Sequence, residues 1–196
     1  MNNCCSCGGA KKALIIVDMQ NDFCPGGSLG VRGGDKIVSA INQYIKCFAE
    51  KDEFIVFTRD WHPANHCSFK ENGGMWPPHC VAETKGAEFH ADLHVPSNPF
   101  IISKADTASK DAYSGFDSTL LDSHLKTLGI EEVWVCGLAT DYCVLSTVTD
   151  ALELGYKVKL LSDAIAAVDV NAGDGEKAIE KMVSAGAENI RMTSQT

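Results

Sequence analysis

Val133-Trp-Val-Cys-Gly-Leu-Ala-Thr-Asp-Tyr-Cys143 runs directly into Val144-Leu-Ser-Thr-Val-Thr-Asp-Ala-Leu152. The first half is an apolar run bounded by Gly137, which reads as a buried strand. The second half places apolar residues at Val144, Leu145, Val148, Ala151, Leu152 and Leu154, which is helical spacing. A strand turning sharply into a helix is the building unit of an α/β fold, and here the turn carries a cysteine. Cys143 falls on or beside a helix N-terminus, where unpaired N–H groups and the positive dipole end favour thiolate over thiol. For a lone cysteine a small core residue is the simpler reading, so the case rests on what accompanies it.

The same alternation extends along the chain from Ala13. Ala13-Leu-Ile-Ile-Val17 predicts a strand buried on both faces. Asp35 is expected to cap a helix reaching about Ala49, with Ile37, Val38, Ile41, Tyr44, Ile45 and Phe48 on one face. Further strands are expected at Phe54–Thr58, Phe100–Ser103, Val158–Leu161 and near Ile190–Met192, with helices at Leu120–Leu128 and about Gly175–Val183. Between the second and third strands lies a stretch of about forty residues with weak periodicity, and loops of that length are usually functional. The pattern predicts a mostly parallel sheet covered on both faces. Ligands of such sheets bind outside the carboxyl ends of the strands.

Composition narrows the classes. A chain of 196 residues suits one substantial domain. The formal charge of −9, with no basic run, argues against a nucleic-acid surface. No apolar stretch approaches the ~20 residues of a bilayer span, and no signal peptide pattern is visible. The nine cysteines are scattered rather than spaced as a disulfide framework, which points to reduced thiols and a cytoplasmic protein. Residues 1–12, containing Cys4, Cys5 and Cys7, read as a flexible cysteine-rich tail ahead of a single domain at 13–196.

Three groups of polar residues fall at predicted strand ends. Asp18 closes the first strand and Lys104 the third, each with a mundane reading as a turn or solvated end. Taken with Cys143 they make a set: a carboxylate to take the thiol proton and an ammonium to hold the carboxylate. After the second strand, Asp60 and His62 flank one residue, and extended backbone points both to one side. His79 comes from the far end of the long loop. One carboxylate and two imidazoles suit a divalent ion such as Zn²⁺, Fe²⁺ or Mn²⁺.

The strings around Asp18, Arg59–Phe69, Trp76–Cys80, Lys104 and Gly137–Cys143 resemble the nicotinamidases of the isochorismatase-like cysteine hydrolases. Five segments agree in order and spacing, from about Leu14 to about Ile190. The resemblance implies a three-layer α/β/α fold, Rossmann-like, with a six-stranded mostly parallel sheet. It implies that Asp18, Lys104 and Cys143 form a catalytic triad, that Asp60, His62 and His79 bind a divalent metal (zinc first, iron or manganese next), and that the N–H groups of Ala139 and Cys143 make the oxyanion hole. It also implies a cis peptide at Leu138–Ala139 and a pyridine ring held between Phe23 and Trp76, with Tyr113 a further wall. The activity implied is hydrolysis of nicotinamide to nicotinate and ammonia in NAD salvage. His66 and Glu71 are left open as auxiliary groups at the metal, and the homo-oligomeric state is left open too.

Three rivals compete with that expectation. One is a related metal-containing amidase for another small aromatic amide of the pyrazinamide kind. Another is a metallohydrolase in which metal-bound water attacks and Cys143 is structural. The third is a thiol-rich metal-binding or redox-sensing protein, for which only the N-terminal cysteines speak.

Overall fold

A computed structural model describes residues 10–192. It contains six strands, β1 (Lys12–Val17), β2 (Phe54–Asp60), β3 (Phe100–Lys104), β4 (Glu132–Leu138), β5 (Lys157–Ala166) and β6 (Glu188–Ile190). Four α-helices accompany them: α1 (Val38–Ala49), α2 (Leu121–Thr127), α3 (Leu145–Glu153) and α4 (Asp174–Ser184). The strands form one sheet in the order β3-β2-β1-β4-β5-β6, and every neighbouring pair is parallel.

Period-two alternation in β1 divides the core. Ala13, Ile15 and Val17 join a cluster with Leu121 and Leu125 of α2, Val148 and Ala151 of α3, and Met182 of α4. Leu14 and Ile16 point the other way, onto Ile41, Ile45 and Phe48 of α1. Each Leu, Ile, Phe or Met so buried stabilises the fold by roughly 1.5–3 kcal/mol relative to exposure. Helices therefore cover both faces, as the uninterrupted apolar strands require.

Several boundaries differ from the sequence expectation. β1 begins at Lys12, inside the expected tail, because the Lys11 carbonyl accepts the N–H of Glu131 beside β4. The cysteines of the tail lie outside the described residues. Asp35 does not cap α1: it sits in a 3₁₀ turn, Gly34–Ile37, and Ile37 enters the helix with no side-chain cap. β2 continues through the polar residues Arg59 and Asp60 because both pair with β3, in register with Ser103 and Lys104. β6 falls two residues earlier than expected, opposite Lys159–Leu161. The forty-residue stretch is tied down by short 3₁₀ turns and by isolated bridges from His62 to Val81, Phe69 to Trp76 and Gln20 to Phe89.

Strand order reverses between β1 and β4, so a crevice opens at their carboxyl ends. Gly137 lets the two strands close there. Its φ is +114°, and a Cβ would stand 2.0 Å from the Val17 carbonyl oxygen, one residue before Asp18.

Candidate active site

The chain leaves β4 through a cis peptide at Leu138–Ala139 and one π-helical turn, Thr140–Val144, before α3 begins. Cys143 lies in that turn with its side chain at the β1–β4 crevice. Asp18 follows β1 with φ +46°, a left-handed conformation that Asp tolerates better than most residues. Two other non-glycine residues beside the site share that conformation, Cys80 after His79 and Ala105 after Lys104.

Lys104 joins these groups. Its Nζ lies 2.9 Å from Asp18 Oδ2 and 2.5 Å from Asp60 Oδ1, donates to the Ala112 carbonyl at 3.2 Å and reaches Cys143 Sγ at 3.5 Å. One oxygen each of Asp18 and Asp60 and the Cys143 sulfur all lie within 4.8 Å of one another. Thr58 Oγ1 donates to Asp18 Oδ1 at 2.7 Å, fixing the carboxylate from its other side.

Burial would by itself lower the Lys104 pKa, but Asp18 and Asp60 outweigh it and hold the ammonium charged. Burial raises Asp18, with Lys104 opposing and Asp60 assisting. Asp60 goes the other way: burial is overcome by Lys104 and His62, and its carboxyl is held below the usual range. Cys143 corrects the sequence expectation of a ready thiolate. Burial, with the charges of Asp18 and Asp60, pushes its thiol well up despite Lys104. Burial thus favours the protonated form of both the Cys143 thiol and the Asp18 carboxyl beside it.

The second cluster shares Asp60. Ligand atoms of Asp60, His62 and His79 lie within 4.8 Å of one another, all three residues buried. His62 Nδ1 is engaged by the Ala105 carbonyl at 3.0 Å and His79 Nδ1 by the Pro77 carbonyl at 2.8 Å. Each ring is thereby oriented with Nε2 free. His62 Nε2 is buried with no hydrogen-bond partner, 3.5 Å from Asp60 Oδ2. A buried imidazole nitrogen left bare beside a carboxylate and a second imidazole fits a divalent ion. His66 stands outside this cluster, and Ser68 Oγ at 2.7 Å and the Lys110 carbonyl at 3.0 Å engage its two nitrogens. It supports the site by stacking on His62, with ring centroids 4.2 Å apart. Glu71 is exposed on the 3₁₀ turn Lys70–Asn72 and stands outside the cluster.

A cavity of about 300 Å³ reaches the two clusters at Cys143, Asp60 and His79, and is lined as well by Phe23, Trp76, Tyr113, Ala139 and Tyr142, and by Leu29, Val31 and Val168. That volume is at the lower end for ligand pockets and suits a single small ring. Phe23 stands on the His79 side, ring centroids 5.7 Å apart. Trp76 packs edge-on against Tyr142 at 5.5 Å and donates its indole N–H to Tyr113 Oη at 3.1 Å. Phe23, Trp76 and Tyr113, the aromatic residues expected beside a ring, all line this cavity.

Three supporting residues went unseen in the sequence. Gln20 is wholly buried; its amide donates to the carbonyls of Asp60 and Ala87, and its oxygen accepts the Asp60 N–H at 2.8 Å. Asp22 accepts the Cys80 N–H at 2.7 Å, tying the His79 loop to the segment that carries Phe23. Tyr142 completes the wall. The repeat Asp18-x-Gln20-x-Asp22 at a strand end was the available signal for the first two.

Comparison with known proteins agrees with this geometry. The chain is 39% identical to the nicotinamidase of Escherichia coli (strain K12), over 90% of its own length and 92% of that protein. It resembles the crystal structure of Pyrococcus horikoshii pyrazinamidase in complex with zinc, at a TM-score of 0.88 and 50% identity, covering 93% of this chain and 99% of the other. A structure of PnC1 from L. infantum in complex with nicotinate superposes at a TM-score of 0.84, 39% identical over 96% of each chain. A family model described as the isochorismatase domain matches residues 12–194. With the fold and nearly the whole length in agreement, the chain belongs to the isochorismatase domain family.

Proposed function

We propose that the protein is a nicotinamidase, an amidohydrolase that converts nicotinamide to nicotinate and ammonia through a thioester on Cys143, in NAD salvage. The observation that carries this reading is that one small aromatic-walled cavity is lined by Cys143, Asp60 and His79 together, with Lys104 in contact with Cys143, Asp18 and Asp60, and His62 beside Asp60. Asp60, His62 and His79 would hold the divalent ion; zinc is favoured by the donor set and by its presence in the Pyrococcus relative, and Fe²⁺ or Mn²⁺ suit the same atoms. Held by these three residues, the ion would supply Lewis-acid character for a basic ring nitrogen of the substrate.

The remaining chemistry belongs to side chains. Phe23 and Trp76, with Tyr113 and Tyr142, hold the ring so that its carboxamide faces Cys143. Asp18 accepts the thiol proton as sulfur bonds to the amide carbon, and Lys104, charged throughout, steadies the carboxylate. The N–H groups of Ala139 and Cys143 stabilise the oxyanion; loss of one such donor typically costs ~2.7–4 kcal/mol. Asp18 returns the proton to the departing nitrogen, the C–N bond breaks and ammonia leaves. Water then attacks the thioester, Asp18 takes its proton, and the C–S bond breaks to give nicotinate. The sulfur recovers the proton. An ammonium 3.5 Å from the sulfur favours this route over attack by a metal-bound water with a structural cysteine.

The test is ammonia release from nicotinamide by the purified protein, with and without a chelator, beside Cys143→Ala. The variant is expected to lose at least about a thousandfold in kcat while keeping its fold and metal content. Near-native turnover by that variant removes the thiol from the mechanism.

A further inference from the structure

Asp141 stands two residues before Cys143 and takes no part in the steps above, yet both of its carboxylate oxygens are engaged. Oδ1 accepts the N–H of Val168 at 2.9 Å and Oδ2 the N–H of Asp169 at 3.0 Å. These amides lie in the loop of residues 167–173, which joins β5 to α4 and reaches the cavity at Val168. Val168 is the residue of that loop that lines the cavity, and this apolar residue remains 38% exposed. Asp169 is held in turn: its φ is +52° and its Oδ1 accepts the Gly175 N–H at 2.8 Å in the first turn of α4. The nucleophile's turn, the entrance loop and α4 are thus bound in one chain of charge-assisted hydrogen bonds.

We propose that Asp141 is a positioning residue that sets substrate selectivity: by strapping the 167–173 loop to the nucleophile's turn, it seats Val168 against the ring and restricts the enzyme to flat, unsubstituted heteroaromatic carboxamides. The inference rests on the nicotinamidase reading and adds to it the size limit of the ring. Without the hold of Asp141 on the turn, Val168 would be free to swing outward, because it is 38% exposed and Val170, two residues on, is 65% exposed. Asp suits the task since only an ionised carboxylate offers two acceptors to two adjacent N–H groups; Asn offers one and sets an NH₂ against the other.

The experiment compares wild type, Asp141→Ala, Asp141→Asn and Val168→Ala on nicotinamide and on a nicotinamide bearing a methyl group on the ring. Loss of one or two methyl groups from an apolar wall changes discrimination by about tenfold or more. Val168→Ala is therefore expected to raise the methylated-to-plain ratio of kcat/KM about tenfold, and Asp141→Ala to do the same through a raised KM for nicotinamide with kcat less affected. Asp141→Asn is expected to fall between. Hydrogen exchange of the Val168 and Asp169 amides is expected to quicken in Asp141→Ala, a readout that needs no substrate. Variants that lose activity on both amides in equal proportion make Asp141 merely structural and overturn the proposal, as does an unchanged ratio in Val168→Ala. Failure of the nicotinamidase reading is distinguishable, because the wild type would then release ammonia from neither amide.

Discussion

Lys104 and Asp60 are joined by a 2.5 Å contact, Nζ to Oδ1, with both side chains buried. The same ammonium holds Asp18 at 2.9 Å. The proposed general base and a proposed metal ligand therefore share one counter-charge, and disturbing either cluster disturbs the other.

Lys104→Met keeps the volume and removes the charge, leaving two carboxylates buried near each other. Breaking a buried ion pair in this way costs about 3–5 kcal/mol. The urea midpoint of the metal-free variant is expected to fall accordingly, and added divalent ion to restore part of it by taking up the charge of Asp60. A midpoint equal to that of the wild type would show that the ammonium is not needed to hold the pair.

Alkylation of Cys143 in the free enzyme reports its proton. Burial raises its pKa, with Asp18 and Asp60 adding to the rise, so labelling is expected to follow a curve displaced above the ordinary thiol value of about 8.5. The sign for stability follows. A group whose folded pKa is raised contributes stability below its unfolded value and loses it as pH climbs through the folded one. Labelling already complete near neutral pH would mean a resting thiolate and a different first step.

His66 and His79 should separate on metal content. His79→Ala removes a donor, so the ion and nicotinamide are expected to be bound weakly together. His66→Ala removes the ring packed on His62 together with its contacts to Ser68 Oγ and the Lys110 carbonyl, for which a 10–100-fold loss of metal affinity with the ion still bound at saturation is expected. Elemental analysis and titration distinguish the two. Equal loss in both would place His66 among the ligands.

Gly137→Ala tests the closure of β1 on β4. A methyl group there meets the Val17 carbonyl at 2.0 Å and a φ of +114°, so both overlap and conformation oppose it. We expect more than about 3 kcal/mol of destabilisation, measured by urea unfolding, or failure to fold. A stable, active Gly137→Ala enzyme would mean that the strands need not approach so closely.

The sheet was largely legible because fully buried parallel strands are continuous apolar runs, and Ala13–Val17 is one of them. Strand ends were less so: Arg59 and Asp60 extend β2 through polar side chains whose pairing depends on β3, which local pattern does not carry. That Asp18, Lys104 and Cys143, and Asp60, His62 and His79, would come together was legible from their places at strand ends and from the family resemblance. Their electrostatics were not, since the helix-start argument for a thiolate knows nothing of two carboxylates brought within 4.8 Å of the sulfur by tertiary structure. Gln20 and Asp22 act through backbone amides forty and fifty-eight residues away, a relationship that leaves no periodicity to read.

Asp18, Asp60, Lys104 and Cys143 each issue from the end of a different strand, β1, β2, β3 and β4. No segment of the nascent polypeptide holds two of them, so reactivity cannot precede docking of the third strand with the fourth through the first two. Until then the thiol is one ordinary sulfhydryl among several. The molecule becomes dangerous to amides only once its architecture is finished.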